Sequence, residues 1–211
     1  MRFNFNIIPA IIAYSIFYIL IIFISNNIIM NDIYFYSLFA QKYDLNKIEE
    51  IILLTRKYEW ISYLISPIFL IIKWGMTCTI IYIGIKLLEL DISFENCFKI
   101  VLIAEIIPII SAIARTLYFY IYPPNNLEIL QNFNPLGVSI FLKNNSIPKY
   151  LLYPIQQLNL FEVGYWLLLA YGIKSLGNVD FKKALKITSI SYGVGLLIWC
   201  IFIIFLQLQF S

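Results

Sequence analysis

The sequence predicts an all-α integral membrane protein, a bundle of five transmembrane helices with a candidate amphipathic helix on the membrane interface. Three observations predict it. Of the 211 residues, 61% are hydrophobic and only 13% charged, too few polar groups to cover a domain whose main solvent is water. The apolar residues gather into five runs of roughly the 20 residues that one helical crossing requires. Between the runs lie connectors that hold most of the Pro, Asn and charged residues. The whole chain, 1–211, reads as a single membrane domain.

The predicted spans cover about residues 7–25, 60–88, 97–122, 150–174 and 186–207, which places the termini on opposite sides. The first run is longer than the roughly 7–15-residue apolar core of a signal peptide, and SNNIIMNDIYF offers no small-x-small cleavage site. It is read as a retained anchor. In YDLNKIEEIILLTRKYEW, Asp44 is a helix cap, and Leu45, Ile48, Ile51, Ile52, Thr55 and Tyr58 fall on one helical face. Two readings stay open for this stretch: an interfacial helix with Trp60 at headgroup depth, or a lead-in to the second span.

The short ELDISFEN connector makes spans two and three a hairpin, with Asp91 and Ser93 as caps. After span three, YPPNNLEILQNFNPLGVSIFLKNNSIPKY reads as the largest loop, with a short helix around 135–143. In SLGNVDFKK, Gly177 and Asn178 end one helix and Asp180 caps the next. Arg2, Lys86, Lys99, Lys174, Lys182, Lys183 and Lys186 fall on one side, against Lys42, Lys47, Arg56, Lys57, Lys143 and Lys149 on the other. The basic cluster at 182–186 lies in a short loop, where the positive-inside rule acts most strongly, and favours a cytoplasmic N-terminus and an external C-terminus.

Composition excludes several functions. The chain has no histidine, and so lacks the usual base of serine and cysteine hydrolases and the imidazole ligands of most catalytic zinc sites. Rhomboid-like, HExxH and CAAX-type membrane proteases all need that residue. Glu49 and Glu50 with Arg56 have the wrong spacing for the last of these. A net charge of +3 without a basic block excludes nucleic acid as a partner. Cys78, Cys97 and Cys200 form no CxxC pair and read as small hydrophobes. No metal or other cofactor is expected. The abundance of Ile, Asn, Lys, Phe and Tyr reflects an AT-rich genome, which lowers the weight given to any one Tyr or Asn.

The ionisable residues inside the spans are the candidate site. Measured from the side where span two begins, Lys73 lies roughly 20 Å deep, Glu162 about 18 Å, Glu105 about 25 Å and Arg115 about 10 Å. A charge at the bilayer centre costs at least about 2.5–3.5 kcal/mol, so Lys73 is expected to face inward and pair with Glu105, Glu162 or both. Arg115 is expected in a second polar layer with Gln156, Gln157 and Asn159. The cluster serves either as a clasp that fixes helix packing or as a proton or cation site, and the clasp is preferred. Pro67 and Pro108 are expected to kink their spans. Ser189 with Gly193, Ser191 with Gly195, and Gly75 with Thr79 are expected to permit close helix approach.

FNPLGVSIF is followed by QQLNLFEVGYWLLLAYGI, in which an Asn-Leu-Phe entry leads through aromatic and leucine residues to Gly172, and by FKKALKI at the last helix. Over about 133–190 this pattern resembles the bacterial members of the Yip family, five-helix membrane proteins with eukaryotic relatives that interact with Rab-type GTPases. The resemblance implies five spans, a hydrophilic loop after the third and a role in membrane organisation. The DLYGP-type motif of the eukaryotic proteins is absent from span two, so GTPase recognition is not carried over. The family supplies no catalytic residue. The expected function is therefore non-enzymatic, a structural or interaction role with lipid, other membrane proteins or a second copy as partners. A small transporter or channel subunit using Lys73, Glu105 and Glu162 is the alternative. An enzyme acting on lipid ranks below both, because no acid and base pair at short spacing and no loop is built to cradle phosphate.

Overall fold

The structure, a computed structural model, describes residues 5–40, 42–124, 127–141 and 148–210. Arg2, Lys143, the last two residues of the helix predicted at 135–143 and the side chain of Lys149 lie outside the described residues. Every regular element among the described residues is helical. In chain order these are α1 (Ile7–Ile24), continued by a π turn at Ser25–Ile29, α2 (Asp32–Phe39), α3 (Leu45–Leu87), α4 (Phe94–Ala104) and α5 (Ile106–Ile121). There follow α6 (Leu127–Asn132), a 3-10 turn at Val138–Phe141, α7 (Lys149–Gln157), α8 (Leu160–Gly177), α9 (Phe181–Thr188), a π turn at Ser189–Gly193 and α10 (Val194–Phe210).

Among the described residues, four helical runs are long and apolar enough to cross a membrane: Ile7–Asn27, Leu45–Leu87, Phe94–Ile121 and Phe181–Phe210. Their outward faces carry large apolar side chains such as Ile12, Phe69 and Phe205, all more than half exposed. Apolar surface on this scale calls for lipid as solvent. The span predicted at 150–174 differs, because it is divided between α7 and α8. The divider is Asn159, which is extended (φ −143°, ψ 159°) and accepts a capping bond from the Glu162 N–H at 2.8 Å. An isolated β-bridge between Gly137 and Asn159 holds the break in place. The Val138 N–H donates to the Leu158 carbonyl at 2.9 Å and the Leu160 N–H to the Leu136 carbonyl at 3.2 Å.

Of the two readings of the amphipathic stretch, the structure agrees with the lead-in. The stretch is not a separate interfacial helix but the start of α3, one helix of 43 residues capped by Asp44, which accepts from the Lys47 N–H at 3.2 Å. Only the middle of the predicted stripe is covered: Ile48 and Ile52 are buried against Phe35 of α2, while Leu45 and Tyr58 stay exposed. An eight-residue α2 reaches no further. Arg56 fastens the junction, donating to the Met30 carbonyl at 3.1 Å and pairing with Asp32 at 3.3 Å and Glu59 at 3.4 Å. Trp60, near this level, is 59% exposed.

The predicted caps of the two hairpins are present in part. Ser93, not Asp91, is the cap of α4 and accepts from the Asn96 N–H at 3.3 Å; Asp180 stands at the start of α9 but makes no side-chain capping bond; and Asn178 ends α8 in the left-handed region (φ 49°), where Asn is tolerated better than most residues. The core lies where α3, α4, α8 and α9 meet, around Trp74, Ile81, Ile100, Leu169, Ile173 and Ile187. Two close approaches fix its geometry. A Cβ on Gly172 would lie 2.5 Å from Ile100 Cγ2, and one on Gly84 would lie 2.5 Å from the Ser191 Cβ. The small residues of the last run are thus used within the chain, Ser191 against Gly84 and Gly195 against Ile80. Gly75 differs from expectation: nothing lies within 4 Å of its missing Cβ, and the Thr79 hydroxyl only bonds back to the Gly75 carbonyl at 2.8 Å. Cys78, Cys97 and Cys200 are free and buried.

Candidate functional site

The site begins with a defect in a helix. Pro108 has no N–H to donate to the carbonyl of Ala104 four residues back, and the helical run is interrupted at that turn, with Glu105 between α4 and α5. Pro67, by contrast, leaves α3 unbroken. Glu105 is 0% exposed. Its Oε1 accepts from Lys73 Nζ at 2.7 Å and from the Tyr18 hydroxyl at 2.7 Å, while its buried Oε2 has no hydrogen-bond partner. One carboxylate therefore joins α1, α3 and the α4–α5 junction. The Lys73 side chain is 43% exposed, so the ammonium bridges a sealed anion and an open space.

Glu162 belongs to a separate group. Its Oε1 accepts from the Trp166 indole N–H at 2.9 Å and the Tyr192 hydroxyl at 2.8 Å, tying α8 to the π turn before α10. Its place in the first turn of α8 also lets the N-terminal helix dipole favour the charge. The expected cluster of three is thus resolved into a Lys73–Glu105 ion pair and a Glu162 group without lysine. Packing gives the offset. Ile107 touches the space above Gly164 on antiparallel α8, so Glu105 and Glu162, each two residues away in opposite senses, differ in depth by about 6 Å.

The predicted second layer is present, with different partners. The Arg115 guanidinium donates to the Leu130 carbonyl in α6 and lies 5.8 Å from the centre of the Phe119 ring. Gln156 donates to Asn132 at 3.2 Å, and its carbonyl accepts from Asn134 at 2.7 Å and Asn159 at 2.8 Å. Arg115, Gln156, Gln157 and Asn159 line one groove together with Lys73 and Glu162. This groove, about 1060 Å³, runs between α3, α5, α7, α8 and α10. Along α3 it extends from Phe69 to Leu87, about 27 Å at 1.5 Å per residue, close to the thickness of a bilayer core.

Sequence reasoning missed Tyr18, Trp166, Tyr192, Asn132 and Asn134. The last two belong to the loop, and tyrosine had been discounted as compositional. One signal was legible for Glu162: Asn159-Leu160-Phe161-Glu162 has the cap-x-x-Glu spacing of a helix start. As a chemical device, the site fixes one ion pair, holds Glu162 with two neutral donors and presents a half-exposed ammonium to an amphipathic groove. No protein-family model, curated protein or solved structure matches this chain.

Proposed function

We propose that the chain is a non-enzymatic multi-pass membrane protein of Yip-like type, with five crossings, that acts as a structural or interaction component of a bacterial cytoplasmic membrane. The observation that carries this reading is the commitment of the deepest carboxylate to packing. Glu105 is sealed and bonded to two other helices, as expected of a clasp that sets helix register. The fifth crossing is α8, whose 18 residues reach about 27 Å, and lysines 182, 183 and 186 favour a cytoplasmic N-terminus. Five crossings require the termini to lie on opposite sides, four on the same side. Reporter fusions at each end test this, and a same-side result rules out the count of five.

A second reading, a small proton or cation transporter, is favoured by Lys73 and Glu162 facing one groove. Proteoliposome flux separates the two. The structural reading expects flux no greater than in empty vesicles; flux abolished by both Glu105→Gln and Glu162→Gln would replace it with the transporter.

A further inference from the structure

The groove is asymmetric along its length. At one end stand Arg115, Gln131, Asn134, Gln156 and Gln157, all capable donors. Toward the other, the wall is aliphatic: Ile80, Ile83 and Leu87 on α3 face Ile190 and Val194 near the start of the last helical run. Its volume of about 1060 Å³ slightly exceeds the roughly 300–1,000 Å³ of ordinary small-molecule pockets.

Charge decides the polarity of the occupant. Among the described residues Arg115 meets a carbonyl and a ring face, not a carboxylate. Lys73 is held by Glu105, and Glu162 already accepts from two donors. From the Ile107–Gly164 contact, Arg115 lies about 9 Å nearer the polar end than Glu162. At equal dielectric, attraction to an anion at about 4 Å outweighs repulsion at about 9 Å by roughly two to one. The polar end therefore suits an anion and the slot beyond it suits hydrocarbon.

We infer that this groove is a binding site for an anionic membrane phospholipid, its phosphate on Arg115 and the surrounding amides and one acyl chain along the Ile80–Leu87 wall. Arginine is suited to the phosphate because its planar fork can donate two parallel bonds. Lys73 on α3 and Glu162 on α8, at intermediate depth, flank the passing chain, while Ile72 and Met76 supply apolar contact.

The inference rests on the membrane-embedded reading above and adds a ligand to it. The test is native mass spectrometry of the full chain in neutral detergent, titrated with phosphatidylglycerol and with phosphate-free diacylglycerol of identical acyl chains. The wild type is expected to prefer phosphatidylglycerol by roughly tenfold or more, the factor that a charge-assisted hydrogen bond supplies. Arg115→Gln is expected to erase the preference while leaving diacylglycerol binding intact, and Arg115→Lys to retain part of it. Met76→Trp, which fills the slot, is expected to weaken both lipids. Equal affinities in the wild type, or a preference that survives Arg115→Gln, overturn the site. Inorganic phosphate competing as well as the whole lipid overturns it too, since the slot then contributes nothing. Should Arg115→Gln fail to fold, Met76→Trp decides, and undiminished phosphatidylglycerol binding overturns the site. Failure of the membrane reading looks different: the wild type would be recovered as a soluble monomer without detergent.

Discussion

The ion pair between Lys73 and Glu105 makes an asymmetric prediction. The carboxylate is 0% exposed and the lysine side chain 43% exposed, so removing either partner strands a charge in a different place. In Lys73→Met, Glu105 keeps only the Tyr18 hydroxyl, and a fully buried anion without its cation costs about 3–5 kcal/mol. In Glu105→Gln, the amide oxygen still accepts from Tyr18, and the ammonium can turn into the groove. The expected loss is then about 1.5–3 kcal/mol, the cost of one hydrogen bond to a charged group. The double variant leaves no unpaired charge, so it should be more stable than Lys73→Met alone. A coupling energy larger than the Glu105→Gln loss expresses this. Reversible unfolding in mixed micelles, followed by circular dichroism, measures all four corners. Equal losses in the two single variants, or a double variant whose loss is their sum, would refute the claim that the buried carboxylate depends on this lysine.

Tyr192→Phe removes one donor from Glu162 and is expected to cost about 1.5–3 kcal/mol, whereas Glu162→Gln keeps an acceptor for Trp166 and Tyr192 and should cost less; the same unfolding assay ranks them. Gly172→Ala places a methyl 2.5 Å from Ile100 Cγ2 and should destabilise by about 1–3 kcal/mol. Gly75→Ala meets nothing within 4 Å and should be neutral or stabilising by up to about 1 kcal/mol, a contrast visible in the thermal midpoints of the two variants. Ile48→Ala empties a fully buried position between α2 and α3 and should cost about 2–5 kcal/mol, read most directly as faster amide exchange in residues 32–39.

What was legible in the sequence follows from the physics that each feature obeys. Helices that satisfy lipid by length and hydropathy were readable, because solvation acts on composition: the C-terminal end of α3 and both ends of Phe94–Ile121 fall within a few residues of the predicted limits. The pairing of Lys73 was readable to the level of a choice between two acids, because depth fixes distance along a helix but not rotation about it. The choice fell to Glu105, which the Pro108 defect leaves between α4 and α5, bonded to α1 and α3. The division of 150–174 was hidden by hydropathy, since Leu158 and Leu160 on either side of Asn159 keep the average high. A cap acts through one side chain and one N–H, and an average over a span conceals it. The continuity of α3 was ambiguous for the opposite reason: nothing between Leu53 and Ser62 breaks a helix, so only the absence of a stop signal favoured one rod.

That division of α7 from α8 bears on where the polar end of the groove stands. Backbone that leaves the helical path at membrane depth is tolerated only where protein groups satisfy it. At Leu158 to Leu160 they do: two bridge bonds to residues 136–138 and the Asn159 cap saturate the turn, and Asn134 covers the Gln156 carbonyl. The loop after α5 is thereby held against the start of α8, and its carbonyl at Leu130 holds Arg115. If the loop served only to connect helices, this polar network could be replaced by a continuous helix from Lys149 to Gly177 at no cost to the fold. Its effect is to leave α8 short, to open a space beside it and to line one end of that space with a cation and amides. The break and the groove are consequences of one arrangement. A change that straightens the break, Asn159→Leu, should therefore close the polar end and reduce lipid selectivity while leaving the Lys73–Glu105 clasp intact.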